Sequence, residues 1–183
     1  TVNYAFGSCL VAKGTGVLGY NVQAAVDARH HLIVTHEVTN VGSDQAQLTK
    51  MGTATKVAMG KDRLQAVADR GYFSGPEIKA CTEAGIMPLV PKPMTSNAKA
   101  EGRFNKADFI YIAKDDEYQC PAGERAIHRF TTVEHGMTIH KYWTSACPRC
   151  PLNTQCTTSS YRRITRWEHE AVLEAVQRRL DRK

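Results

Sequence analysis

The sequence predicts a mixed α/β fold interrupted by a cysteine-rich insertion, and three observations carry that prediction. Short β-branched and aromatic runs alternate with helix-spaced apolar segments over residues 17–90. The texture turns polar after the PKP at residues 91–93. Four cysteines, Cys120, Cys147, Cys150 and Cys156, then gather beyond that point.

Taken in order, residues 17–26 (VLGYNVQAAV) and 32–39 (LIVTHEVT) have strand composition, and the DARHH between them supplies a turn, so a hairpin is expected. Residues 40–43 break the pattern, and Asp44 stands where a helix N-cap belongs. Leu48, Met51, Thr55 and Ala58 follow at helical spacing, up to about Met59. Residues 64–68 (LQAVA) form a short apolar run ending at Asp69, the pattern of a buried strand. Ser74 is placed to cap a helix over residues 75–83, with Pro76 tolerated in the first turn and Gly85 as the stop. Residues 86–90 make another strand. The order β, β, α, β, α, β calls for a mixed sheet in which a hairpin leads into right-handed crossovers.

Residues 94–106 read as a polar, mobile stretch, with short strands expected at residues 109–112 and 137–143. Thr165 is read as the cap of a last helix over residues 166–180, where Trp167, Val172, Leu173, Val176 and Leu180 are available to pack. The organisation expected is a core over residues 1–93, an insertion over 94–164 and a terminal helix over 165–183.

The cysteines have metal-ligand spacing. Cys147 and Cys150 form a CPRC knuckle that aims two sulfurs at one point, Cys156 follows a short loop, and Cys120 opens its own turn in CPAG. Four thiolates would close a structural zinc site with no open position for a substrate. Reduced structural cysteines and disulfides are the alternatives. Against disulfides, nothing resembles a signal peptide, and a chain of this size needs no covalent staples. Cys9 and Cys81 lack ligand spacing and read as small apolar side chains.

With 183 residues, 42% hydrophobic and 23% charged, the chain has globular composition, and no apolar run approaches the roughly 20 residues of a membrane span. The net charge of +6 concentrates toward the end: residues 161–183 carry 7 basic and 4 acidic side chains. Arg162, Arg163, Arg166, Arg178 and Arg179, with Arg182 and Lys183, are candidates to lie along phosphates, the alternative being a solvated helix face. Among single residues, Asp69 is the first candidate for chemistry, because it follows an expected buried strand and would emerge at the carboxyl end of the sheet. A carboxylate there suits magnesium, although a solvated turn aspartate has the same sequence signature.

Several ordered segments go further. GYNVQAAVD (residues 19–27), HHLIVTHEVTN (30–40), DQAQL (44–48), VADRGYFSGPEIKACTEAGI (67–86), VPKP (90–93), the cysteine set and RRITRWEHE (162–170) closely resemble the DDE transposases of bacterial insertion sequences, in the subgroup with a cysteine-rich insertion before the last catalytic segment. The resemblance spans roughly residues 16–183. It implies a ribonuclease H-like mixed sheet with a cysteine-rich insertion, which the ligand spacing above reads as zinc-ribbon-like, and three acidic residues holding two magnesium or manganese ions. Such a pair activates the attacking oxygen and stabilises the leaving one: water first cleaves a DNA strand, and the freed 3′ hydroxyl then attacks target DNA. The implied partners are DNA, as transposon ends and target, and further copies of the full-length protein, in a bacterial cytoplasmic, nucleoid-associated setting without a membrane.

Asp69, in ADRGY, matches the second carboxylate of that family. For the first, similar proteins carry Asp-Pro-Asp-Ala before the glycine-rich lead into GYNVQ, whereas this chain reads TVNYAFGSCLVAKGTG, with no Asp before Asp27. Either the first strand has been replaced or Asp27 serves. Replacement is preferred, because Asp27 reads as a turn residue. Asp44 is a weaker substitute, explained as a helix cap. The third carboxylate, a Glu before His-Pro-Phe, lies in the family beyond a segment like residues 180–182, and Glu168, Glu170 and Glu174 precede that position. His36 and His169 are read as packing or surface residues. The expectation is therefore a transposase catalytic-domain fragment that is inactive alone. The alternatives are a non-catalytic nucleic-acid-binding module and a zinc-stabilised interaction domain.

Overall fold

The computed structural model of the chain describes residues 3–8, 20–93 and 97–182. Two compact units emerge, one formed by Thr1–Pro93 with Ala171–Lys183, the other by Met94–Glu170. Cys9, the first three residues of the expected hairpin and residues 94–96 of the expected mobile stretch lie outside the described residues.

The first unit is built on a five-stranded mixed sheet. Its strands are β1 (Asn3–Ser8), β2 (Asn21–Asp27), β3 (Ile33–Thr39), β4 (Leu64–Val67) and β5 (Ile86–Leu89), in the spatial order β3-β2-β1-β4-β5. β2 pairs antiparallel with both β1 and β3, and β4 lies parallel between β1 and β5. A strand precedes the hairpin: Asn3–Ser8, which contains no Asp or Glu, occupies the centre of the sheet.

Alternation along the strands makes one face covered, polar at both ends of β2 and apolar on β4 and β5. In β2, Asn21, Gln23, Ala25 and Asp27 are buried, and Leu64 and Ala66 of β4 share that face with Ile86 and Pro88 of β5. Helices α1 (Leu48–Met59) and α2 (Gly75–Glu83) belong to the same unit, and α1 contributes Leu48 and Met51, fully or almost fully buried, to the core. Ala58 is exposed and Met59 packs in its place. α1 ends on Gly60 in the left-handed region at φ 58°, where its amide caps the last carbonyls. Gly52 lets α1 approach β5 closely, since a Cβ there would stand 2.8 Å from Ile86 Cδ1. Ile78, Cys81 and Val176 complete the cluster.

The second unit is an antiparallel five-stranded meander, β6 (Ile110–Ile112), β7 (Glu117–Gln119), β8 (Arg125–Glu134), β9 (Met137–Trp143) and β10 (Ile164–Trp167), followed in space in the order β10-β9-β8-β7-β6. A one-turn helix, α3 (Asn153–Cys156), precedes β10. Its core gathers Phe109, Tyr118, Ala126, Tyr142, Cys156 and Ile164.

Here one sequence expectation is overturned. Thr165 does not cap a helix; it lies in β10, paired with Lys141 of β9. Ile164, Arg166 and Trp167 are buried against the second unit, and α4 (Glu170–Leu180) starts only at Glu170, whose carboxylate accepts from the Trp167 amide at 3.2 Å. Ladder hydrogen bonds from β9 decide the matter, a partner that local periodicity does not reveal. Among the described residues, no helix is long and apolar enough to cross a membrane.

Candidate functional site

β4 runs out at Val67, and the Ala68 amide adds one more bond to Leu89 O at 3.2 Å before the chain turns. Asp69 follows, with extended backbone, and caps the short 3-10 turn Arg70–Tyr72, its Oδ1 accepting from the Gly71 amide at 2.7 Å. The carboxylate is solvent-exposed at the carboxyl end of the strand next to the sheet centre.

Beside it stands a residue whose sequence reading was different. Asp44 is not the cap of α1: Ser43 caps the preceding 3-10 turn Asp44–Ala46, and α1 begins after Gln47 without a side-chain cap. Asp44 is instead buried, and its Oδ1 accepts from Asn21 Nδ2 at 2.8 Å and Gln23 Nε2 at 2.7 Å. Gln23 also donates to Asn21 Oδ1 at 2.9 Å and accepts from the Tyr72 hydroxyl, while Asn21 donates to Val41 O at 3.0 Å. Amide side chains from β2 therefore tie the carboxylate after β3 to the turn after β4. A buried charge is retained only when hydrogen-bonded in this manner.

The second oxygen of Asp44 faces Gly71. A Cβ at Gly71 would meet Asp69 Oδ1 at 2.9 Å and Asp44 Oδ2 at 3.8 Å, so both carboxylates border the space over this glycine. Burial, then the negative charges of Asp44 and Asp69, push the Tyr72 hydroxyl well above its usual range against the Gln23 bond. Tyr72 is thus a neutral donor in the working pH range.

Asp27 lies elsewhere. Through the registers Asp27↔Tyr4 and Tyr4↔Ala66 it is level with Ala66, three residues short of Asp69 along the parallel strand direction. It accepts from the His30 amide at 2.9 Å and His30 Nδ1 at 2.7 Å. Burial would raise this carboxyl, but the His30 and Arg29 bonds outweigh it and hold it below the usual carboxylate value. Asp27 is a hairpin-turn residue here, as its sequence context implied, and the structure does not bring it to Asp69.

The basic residues divide between the units. Arg178 and Arg179 are exposed on α4 in the first. In the second, Arg163 is exposed over the Trp143 ring at 5.7 Å. Arg166 leaves the surface row altogether: it is buried, its guanidinium 3.7 Å from the Tyr111 ring centroid and within 3.3 Å of the Tyr118 hydroxyl. Arg162 is half-buried, stacked over Phe109 at 5.6 Å.

Cys120, Cys147, Cys150 and Cys156 are all free thiols and all border one small cavity of about 20 Å³ in the second unit, with Arg162 in its wall. Burial first, then neighbouring Cys120 and Cys150, raise the Cys156 thiol, partly countered by Arg162. Among the described residues, no three His, Cys, Asp or Glu side chains already stand at ligating positions around one point. Cys81 is separate, buried in the first unit against Thr49 Oγ1 at 3.5 Å, its thiol pushed up to about 11 chiefly by burial.

No protein-family model matches the chain, and no curated protein matches it. Among solved structures, the chain is similar to the piggyBac transposase in its synaptic complex with hairpin DNA, at 7% identity and a TM-score of 0.39, over 76% of this chain. The chain spans 30% of that transposase's length.

Proposed function

We propose that the mixed-sheet unit is the ribonuclease H-like part of a DDE transposase, binding divalent metal for phosphodiester chemistry on DNA. The observation that supports this most is the placement of Asp69 directly beyond β4, in a sheet of order β3-β2-β1-β4-β5 in which β2 alone runs against the other four strands. The segments that resemble the insertion-sequence transposases point the same way. Carboxylates from Asp69 and Asp44 are hard oxygen donors, fitting one magnesium or manganese ion that keeps several waters. When bound, such ions activate the attacking oxygen and stabilise the leaving one.

The residues of the chain have their own parts in this reading. Asp69 contributes an exposed carboxylate, Asp44 a buried one whose orientation is set by Asn21 and Gln23, and Gly71 leaves the space between them open. Tyr72 holds Gln23 in place. Asp27 takes no part. Asp69 and Asp44 are two carboxylates, one fewer than the three that the resemblance implies for a pair of ions.

Manganese titration of the chain, followed by water-proton relaxation, tests the site. Binding is expected in the parent chain and loss in both Asp69→Ala and Asp44→Asn; binding that survives both substitutions sinks the proposal. A strand-transfer assay with magnesium or manganese on the same polypeptide is expected to show no product. Turnover that Asp69→Ala abolishes would refute the inactive reading. Filter binding of DNA at two salt concentrations addresses the non-catalytic alternative: salt-sensitive binding that persists in Asp69→Ala, with no manganese site, favours a nucleic-acid-binding module.

A further inference from the structure

Three chain segments deliver the sulfurs to the second unit's cavity. Cys120 follows β7, in a turn closed by the Gly123 amide on Cys120 O at 2.8 Å. Cys147 and Cys150 flank a 3-10 turn, closed by the Cys150 amide on Cys147 O at 3.2 Å and braced by Asn153 Nδ2 on the same carbonyl at 2.9 Å. Cys156 ends α3 and is buried. Cysteines so far apart in sequence border one cavity of about 20 Å³, room for about one water-sized body. Soft sulfur donors in fours select zinc over the hard cations.

A second, independent feature faces the same cavity. Arg162 Nε is buried and has no hydrogen-bond partner, and Arg162 lines the cavity together with Phe109, over whose ring its guanidinium lies. A buried guanidinium N–H demands an acceptor. Four thiolates around a divalent ion carry two net negative charges, and an arginine beside them offsets one while giving a sulfur its hydrogen bond.

We propose that Cys120, Cys147, Cys150 and Cys156 form a structural zinc site in which Arg162 is the positioning residue, donating its Nε–H to a ligand sulfur. The four sulfurs would hold the ion, and each thiol that ligates would release its proton to solvent. The site is independent of the strand-transfer reading, since its residues belong to the other unit and its ion takes no substrate.

The test uses the full chain, dialysed against zinc chloride and then analysed for metal, with cobalt as a spectroscopic substitute. One zinc per chain and a cobalt spectrum with thiolate charge-transfer bands and intense tetrahedral d–d bands are expected. Cys150→Ser should lose both. Arg162→Ala should retain the stoichiometry with roughly 10- to 100-fold weaker zinc binding, the range typical of outer ligand-supporting groups. It should also release zinc at a higher pH on acidification, because thiolates without the guanidinium protonate more readily; Arg162→Lys should fall between. A parent chain that holds no zinc, gives no thiolate bands and exposes every thiol to Ellman's reagent overturns the site, whatever the folding of Cys150→Ser. Unchanged affinity and release pH in Arg162→Ala overturn the role of the arginine.

Discussion

Gly71 is the smallest residue in the carboxylate site and the one with least room for change. Gly71→Ala adds a Cβ 2.9 Å from Asp69 Oδ1, closer than real Cβ contacts, so the carboxylate must rotate away. Manganese affinity is expected to drop at least tenfold while the denaturation midpoint moves little, because the position is exposed. Asp27 gives the contrast. Its carboxyl is held below the ordinary 3.8 in the folded chain, so its stabilising contribution is present above that value and is lost as pH falls through the lower folded one. Asp27→Asn should therefore flatten the acid limb of a stability–pH curve below about pH 4 and leave manganese binding unaltered. The sequence placed Asp69 at a strand end and Asp27 at a turn, since both are local patterns. It hid Asp44, whose partners Asn21 and Gln23 come from a strand more than twenty residues earlier; a helix-cap reading is all that its neighbours offer.

Helix α1 and strand β5 meet at Gly52, and the pair measures how closely the sheet is covered. Gly52→Ala places a Cβ 2.8 Å from the terminal carbon of Ile86, but alanine's better helix propensity, about 1 kcal/mol, offsets much of the strain. Gly52→Val lacks that compensation and should cost about 1–3 kcal/mol in urea denaturation. Strand β10 shows the limit of element reading in the other direction. Residues 165–167 are compatible with a helical start, yet pairing with β9 and the stacking of Arg166 on Tyr111 hold them extended. Arg166→Ala is expected to destabilise the second unit by about 1–3 kcal/mol without changing the salt slope of DNA binding, whereas Arg163→Ala should lower that slope by about one. The two results separate a packing arginine from a phosphate contact.

At the scale of the molecule, each unit has its own buried cluster, and both tryptophans, Trp143 and Trp167, lie in the second. Tryptophan fluorescence therefore follows that unit alone, while far-UV circular dichroism is weighted toward α1, α2 and α4 of the first. The two melting curves are expected not to coincide, and in the zinc-loaded chain, with no magnesium or manganese added, a chelator should shift the fluorescence curve only. The change of texture at PKP and the cysteines is legible in the sequence, whereas the second unit runs on to Glu170 and not to residue 164, because β10 pairs with β9; the position of β1 was not legible, since residues 3–8 have no local feature that names their neighbours. Yet β1 is the seam of the first sheet, bonded to β2 on one side and β4 on the other. A shortened chain that begins at Tyr20 would leave a hairpin and a parallel pair with no common backbone ladder, two raw edges in place of none at the centre. Such edges recruit strands from other molecules. Solubility on trimming, more than any loss of activity, is where the contribution of those six residues would first be felt.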